Sequence, residues 1–151
     1  MNLFIPRLLI LLCLTGGLKA AGAAPPVVTF DLLRKTVHPA GSAAVLPKQL
    51  TALEGKKVRV TGHVCPYDQH MLRLMKFLVT AEQNPGCFFC NPPDETEVFF
   101  IRLPANAVPM TWKSEMVTVE GTLHLKGRDK ADKETAPFLA TVDDADVVGR
   151  K

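Results

Sequence analysis

From Lys57 the chain switches to a strict alternation of apolar and polar residues. Val58, Val60 and Val64 fall on one side and Arg59, Thr61 and His63 on the other, which predicts a half-buried strand. Gly62 within it predicts a bulge or sharp bend. Leu74 to Thr80 is a second apolar run, and Glu97 to Leu103 a third, apolar on both faces. Met116 to Lys126 is the clearest strand, with Val117, Val119, Leu123 and Leu125 facing in and Gly121 at a bend. Phe138 to Val142 opens a fifth strand, and Asp143-Asp144-Ala145-Asp146 reads as its solvated end. Between strands three and four, Pro104 to Ser114 leaves room for a short helix, limited by Pro109.

Upstream, residues 24–47 read as an N-terminal arm, with a short strand or helical turn within Val27 to Thr36. Pro47 to Gly55 fits one or two helical turns, with Pro47 near the start and Gly55 as the stop. Five strands, glycines inside the first and fourth, and an insertion between the third and fourth predict a mainly β fold. The architecture expected is a small five-stranded Greek-key, OB-like barrel over residues 48–151. Val58-Arg59-Val60-Thr61-Gly62 and Val117-Thr118-Val119-Glu120-Gly121 share one plan, which supports a closed barrel over the competing open sandwich.

The first 23 residues have the form of a secretory signal. Arg7 supplies positive charge, Leu8 to Leu14 form a short apolar run, and Ala21-Gly22-Ala23 fits the cleavage rule. The run is far short of the roughly 20 residues that a spanning helix needs. A secreted or periplasmic location is therefore expected, and Cys13 is lost with the signal. Removing Arg7 and Lys19 takes the formal charge from +3 to +1. A near-neutral surface gives no electrostatic case for nucleic acid or for an anionic membrane. The rest is one domain, of a size that buries about two thirds of its unfolded surface.

Three cysteines remain after the signal, and an oxidising compartment favours pairing. One thiol must stay reduced, pair between chains or be protected by a metal. His63-Val64-Cys65 places an imidazole and a sulfur two apart, on one face of a strand. Cys87-Phe88-Phe89-Cys90 has the spacing that lets two sulfurs of one turn reach a single ion. Together Cys87, Cys90, Cys65 and His63 make a candidate Cys₃His set, which suits zinc. Phe88 and Phe89 would supply an apolar shell.

Two other readings stay open. A redox dithiol would use a helix following Cys90, but Asn91-Pro92-Pro93 follows at once and opposes it. A structural disulfide from Cys65 to Cys87 or Cys90 would tie the loop to the first strand and make the protein a non-catalytic interaction module. His70, Met71, Met75, Met110, Trp112 and Met116 are the residue types of a copper(I) site, the second choice of ion, and scattered methionines also serve as core fillers. His124 is expected on a solvated strand face and His38 in the arm. No Ser/His/Asp order, P-loop, paired carboxylate motif or G-x-G-x-x-G occurs, so a non-enzymatic protein is expected.

Several of these segments taken together resemble one family. They are Leu53-x-Gly55-Lys56-x-Val58-x-Val60-x-Gly62, then Pro66, Phe77-Leu78-Val79, the cysteine turn with Pro92-Pro93, and the apolar strand after it. Val28-Thr29-Phe30-Asp31-Leu32-Leu33 resembles the opening of such proteins. The family is an uncharacterised one of secreted bacterial proteins, known as a domain of unknown function, and the resemblance covers roughly residues 27–148. Its members are often encoded beside ABC-type export permeases and periplasmic metal-homeostasis proteins. The resemblance therefore implies a metal-related role, with a permease or another periplasmic metal-handling protein as partner. Cys87-Phe88-Phe89-Cys90 differs from the Cys-His or Cys-Cys turn of other members.

Overall fold

The computed structural model describes residues 23–40, 43–67, 73–83, 92–111, 113, 115–125 and 138–151. Two single-turn helices, α1 (Phe30–Leu33) and α2 (Lys48–Thr51), precede the strands. The strands are β1 (Lys57–Pro66), β2 (Arg73–Leu74), β3 (Lys76–Thr80), β4 (Val98–Arg102), β5 (Met110–Thr111), β6 (Met116–Leu125) and β7 (Ala140–Arg150).

Five of these strands close a barrel in the order β1-β3-β4-β7-β6, and β2 and β5 form a separate two-stranded ribbon. Apart from the ribbon, the strand order is first, second, third, fifth, fourth, which is the Greek-key order of an OB barrel. β4 and β7 pair in parallel, and every other pair is antiparallel. The ribbon joins the same core through its paired residues Leu74 and Met110, both buried.

β1 does two jobs. Its residues 57–63 pair with β6 and its residues 63–66 pair with β3, so the strand must turn from one neighbour to the other near Gly62. The alternation seen in the sequence aims position 62 into the barrel, where a Cβ would meet Thr80, Val79 and Phe30 at 3.0 Å or less. Only a residue without a side chain permits that approach. Gly121 repeats the device on β6, against Asp143, Val142 and Ala145.

The interior is filled by Val58, Val60, Val64, Phe77, Val79, Phe99, Ile101, Val117, Val119, Leu123 and Val142. The arm belongs to the same core. Val28, Leu33 and Leu50 are buried in it, and Phe30 packs its ring edge against Phe99 at 5.2 Å. The Val28 amide donates to the Arg59 carbonyl (2.8 Å) and the Arg59 amide to the Pro26 carbonyl (2.9 Å). The arm therefore pairs alongside β1.

Three elements differ from the sequence expectation. The second run is broken at Met75 into β2 and β3. Residues 104–109 form turns followed by β5, and no helix occurs there among the described residues. β7 does not end at Val142 but continues to Arg150 through register shifts against β6, with Asp144 in the left-handed region (φ 49°). That bulge returns Ala145 to the interior, where it is buried. No described helix is long and apolar enough to cross a membrane.

Candidate functional site

The outer face of β1 carries Arg59, Thr61, His63 and Cys65 in alternation with the buried valines. At one end it is an ordinary polar surface. Arg59 Nε bonds Glu120 across the β1–β6 ladder at 2.9 Å, and the Thr61 and Thr118 hydroxyls lie 2.8 Å apart. At the other end the pairing passes to β3, and the chemistry changes.

His63 is half-buried and stands opposite Thr80, the last residue of β3. The Thr80 hydroxyl lies 3.2 Å from the His63 carbonyl oxygen and 2.8 Å from that of Glu82. It thus fixes the point at which the chain leaves β3. Thr80 in turn pairs with Val98, where the chain re-enters the barrel as β4. The segment between them carries Cys87 and Cys90, which lie outside the described residues.

Cys65 pairs with Leu78 and is 1% exposed, although its side chain points away from the barrel interior. It is covered by a second apolar cluster on the outside of β1, β3 and β4, made of Leu78, Val98, Phe100 and Phe138 with Tyr67 packed against it. Phe100 and Phe138 stack with centroids 5.0 Å apart. Tyr67 meets Phe100 (5.3 Å) and Phe138 (5.9 Å) edge-on. Such edge and offset contacts are the favourable aromatic geometries. Cys65 is therefore a buried member of an apolar, partly aromatic cluster outside the barrel interior.

A cationic and acidic rim surrounds the return into β4. Asp94 accepts from both the amide (2.8 Å) and the hydroxyl (2.6 Å) of Thr96. The Thr96 hydroxyl, and then its amide, hold the Asp94 carboxyl below the usual carboxylate range. His38 Nδ1 lies 3.2 Å from Glu95, and Arg34 NH2 lies 3.1 Å from Glu97 and its NH1 2.9 Å from Asp31. The bonds to Glu97 and Asp31 raise the Arg34 guanidinium further above its ordinary value. The sequence placed His38 in the arm but gave no sign of this contact, because Glu95 is far along the chain. His124, expected to be solvated, has Nδ1 3.4 Å from Glu54 and Nε2 3.8 Å from Asp143. Asp143 also receives Arg102 Nε at 2.8 Å.

Of the four proposed ligands, the structure thus puts His63 and Cys65 on one face and at the barrel end that holds both roots of the cysteine segment. Among the described residues no three His, Cys, Asp or Glu side chains converge as a metal ion would require. Of the copper-type residues, Met110 is buried core, Met75 and Met116 are partly buried, and His70, Met71 and Trp112 lie outside the described residues.

The chain is similar to known proteins in two respects. A family model described as a protein of unknown function, DUF3299, matches residues 34–143. The crystal structure of a DUF3299 family protein from Pseudomonas aeruginosa PAO1 is similar to it at 18% sequence identity, with a TM-score of 0.55, covering 85% of this chain and 96% of that one. At that identity the likeness speaks for a common fold. No curated protein matches the chain. The family match over residues 34–143, most of the chain, places it in the DUF3299 family.

Proposed function

We propose that this chain is a periplasmic, non-enzymatic metal-binding or metal-homeostasis accessory protein that holds zinc through Cys87, Cys90, Cys65 and His63. The observation that supports it is the register of His63 with Thr80. It sets an imidazole beside the point from which the cysteine segment departs. Cys87 is seven residues beyond Thr80 and Cys90 eight before Val98, so each sulfur has up to about 25 Å of extended chain in which to return. Three thiolates and one imidazole suit a closed tetrahedral zinc site, and the rings beside Cys65 would exclude water from it. The partner would be an ABC-type export permease or another periplasmic metal-handling protein. Copper(I) is the second choice of ion, on the softness of the same sulfurs.

Counting reactive thiols in the purified chain, with and without a chelator, tests this reading. Three thiols shielded until the chelator is added support it. A cross-link that survives the chelator contradicts it.

One observation favours a second reading. Cys65 is almost fully buried among apolar side chains, as a disulfide sulfur commonly is. A bridge from Cys65 to Cys87 or Cys90 would make the protein a non-catalytic interaction module of an export system. The chelator-resistant cross-link is the outcome that this reading expects.

A further inference from the structure

We propose that His63 and Met116 form a binding site for a soft monovalent cation, copper(I), across the β1–β6 ladder, with the imidazole and the thioether as its donors. The site goes beyond the zinc reading and does not rest on it, since no cysteine takes part.

The register creates the pair. His63 and Met116 are the last partners in the β1–β6 ladder. Each belongs to the outward-facing series of its strand, and both are half-buried. The Met116 amide donates to the Lys151 carbonyl (3.1 Å), and the Met116 carbonyl accepts from the Lys151 amide (2.8 Å). Both backbone polar groups of Met116 are therefore directed away from β1. That makes His63 and Met116 a non-hydrogen-bonded pair, the kind in which Cα atoms approach to about 4.5 Å and side chains come closest. An imidazole and a thioether thus stand side by side on one surface.

The polar neighbours are engaged elsewhere. The Thr61 and Thr118 hydroxyls, the next pair along this face, lie 2.8 Å from each other. The Thr80 hydroxyl bonds the backbone carbonyls of His63 and Glu82, and Glu115 lies 3.4 Å from Arg150. Among the described residues none bonds to the His63 ring. The imidazole is therefore left as a donor for a ligand, with a soft sulfur at its side. Thioethers and imidazoles suit copper(I), whereas zinc takes thiolates, imidazoles and carboxylates. Met116 gives this position a preference between the two ions. The lack of three converging His, Cys, Asp or Glu side chains among the described residues concerns other donor types.

The test is a nuclear magnetic resonance titration of the full chain, isotope-labelled at its methionine methyl groups. Copper(I) is kept reduced by ascorbate, buffered by a chromophoric chelator and taken to a small molar excess. The Met116 methyl signal, assigned with Met116→Leu, and the His63 ring protons are expected to shift over one common range of copper(I). With zinc alone the Met116 methyl should stay in place. His63→Asn should move the copper(I) level at which the Met116 methyl shifts upward by at least about tenfold. Met75→Leu, at a partly buried methionine outside the pair, should leave that level unchanged. A Met116 methyl that stays in place throughout the natural chain's titration overturns the site. So does a methyl that shifts at the same copper(I) level in His63→Asn. Zinc retention is measured separately on the natural chain. A chain that responds to copper(I) at Met116 but holds no zinc removes the zinc reading and keeps this site. A chain that holds zinc while Met116 is silent to copper(I) does the reverse.

Discussion

Gly62 and Thr80 approach so closely that a Cβ added at Gly62 would stand 2.5 Å from the Thr80 carbonyl oxygen. His63, the next residue, stands in register with Thr80. The strand leaves no room for a side chain at position 62, next to the candidate imidazole. Gly62→Ala is expected to destabilise the protein by about 1–3 kcal/mol through overpacking. Gly149→Ala, whose nearest neighbour would be at an ordinary 3.5 Å, should stay within about 0.5 kcal/mol of the natural chain. Urea unfolding of both variants checks the contrast.

Arg102 and Asp143 join the short parallel seam between β4 and β7 with paired bonds of 2.8 and 3.0 Å. The seam has only two register pairs, Phe100 with Thr141 and Ile101 with Val142. A two-pronged ion pair fixes geometry as well as adding energy. Both side chains are partly exposed, so the cost of Asp143→Asn is set at about 1 kcal/mol and should shrink in high salt. Thermal unfolding at low and high ionic strength measures it.

Much of this architecture is legible from residue order. The alternation around Gly62 and Gly121 fixes which side of β1 and β6 faces inward, and it puts His63 and Cys65 on the outside. The long reach of β7 is not legible, because Asp143-Asp144-Ala145-Asp146 has the composition of a solvated terminus. It becomes a strand only once Arg102 neutralises Asp143 and Asp144 adopts a left-handed bulge. Nor does the sequence reveal that Cys65 is buried. An outward position on a half-buried strand reads as exposed, and the cluster in which it is buried draws in Phe138, more than 70 residues away.

Asp94 gives a pH dependence with a defined sign. The bonds from Thr96 lower its folded pKa below the unfolded value of 3.8. Its contribution is present above that value and is lost as pH falls through the lower folded value. The natural chain should therefore exceed Asp94→Asn in stability at neutral pH, and the gap should begin to narrow as pH falls below about 3.8. Urea midpoints across an acid series test this.

His63 and Cys65 should separate binding from packing. His63→Ala, at a half-buried surface position, should change stability by no more than about 0.5 kcal/mol. It should weaken zinc affinity by at least about tenfold, since even removing a group behind a metal ligand has effects of that size. Cys65→Ala should do both, losing about 1–2 kcal/mol from the outer apolar cluster as well as affinity. Competition with a chromophoric chelator and urea unfolding provide the two readouts.

X-ray absorption at the zinc edge of the loaded protein addresses the ligand set itself. Three sulfurs at about 2.3 Å and one nitrogen at about 2.0–2.1 Å are the expected shell. A shell of oxygen and nitrogen alone, or a chain that emerges from zinc loading and desalting without the ion, would contradict the assignment.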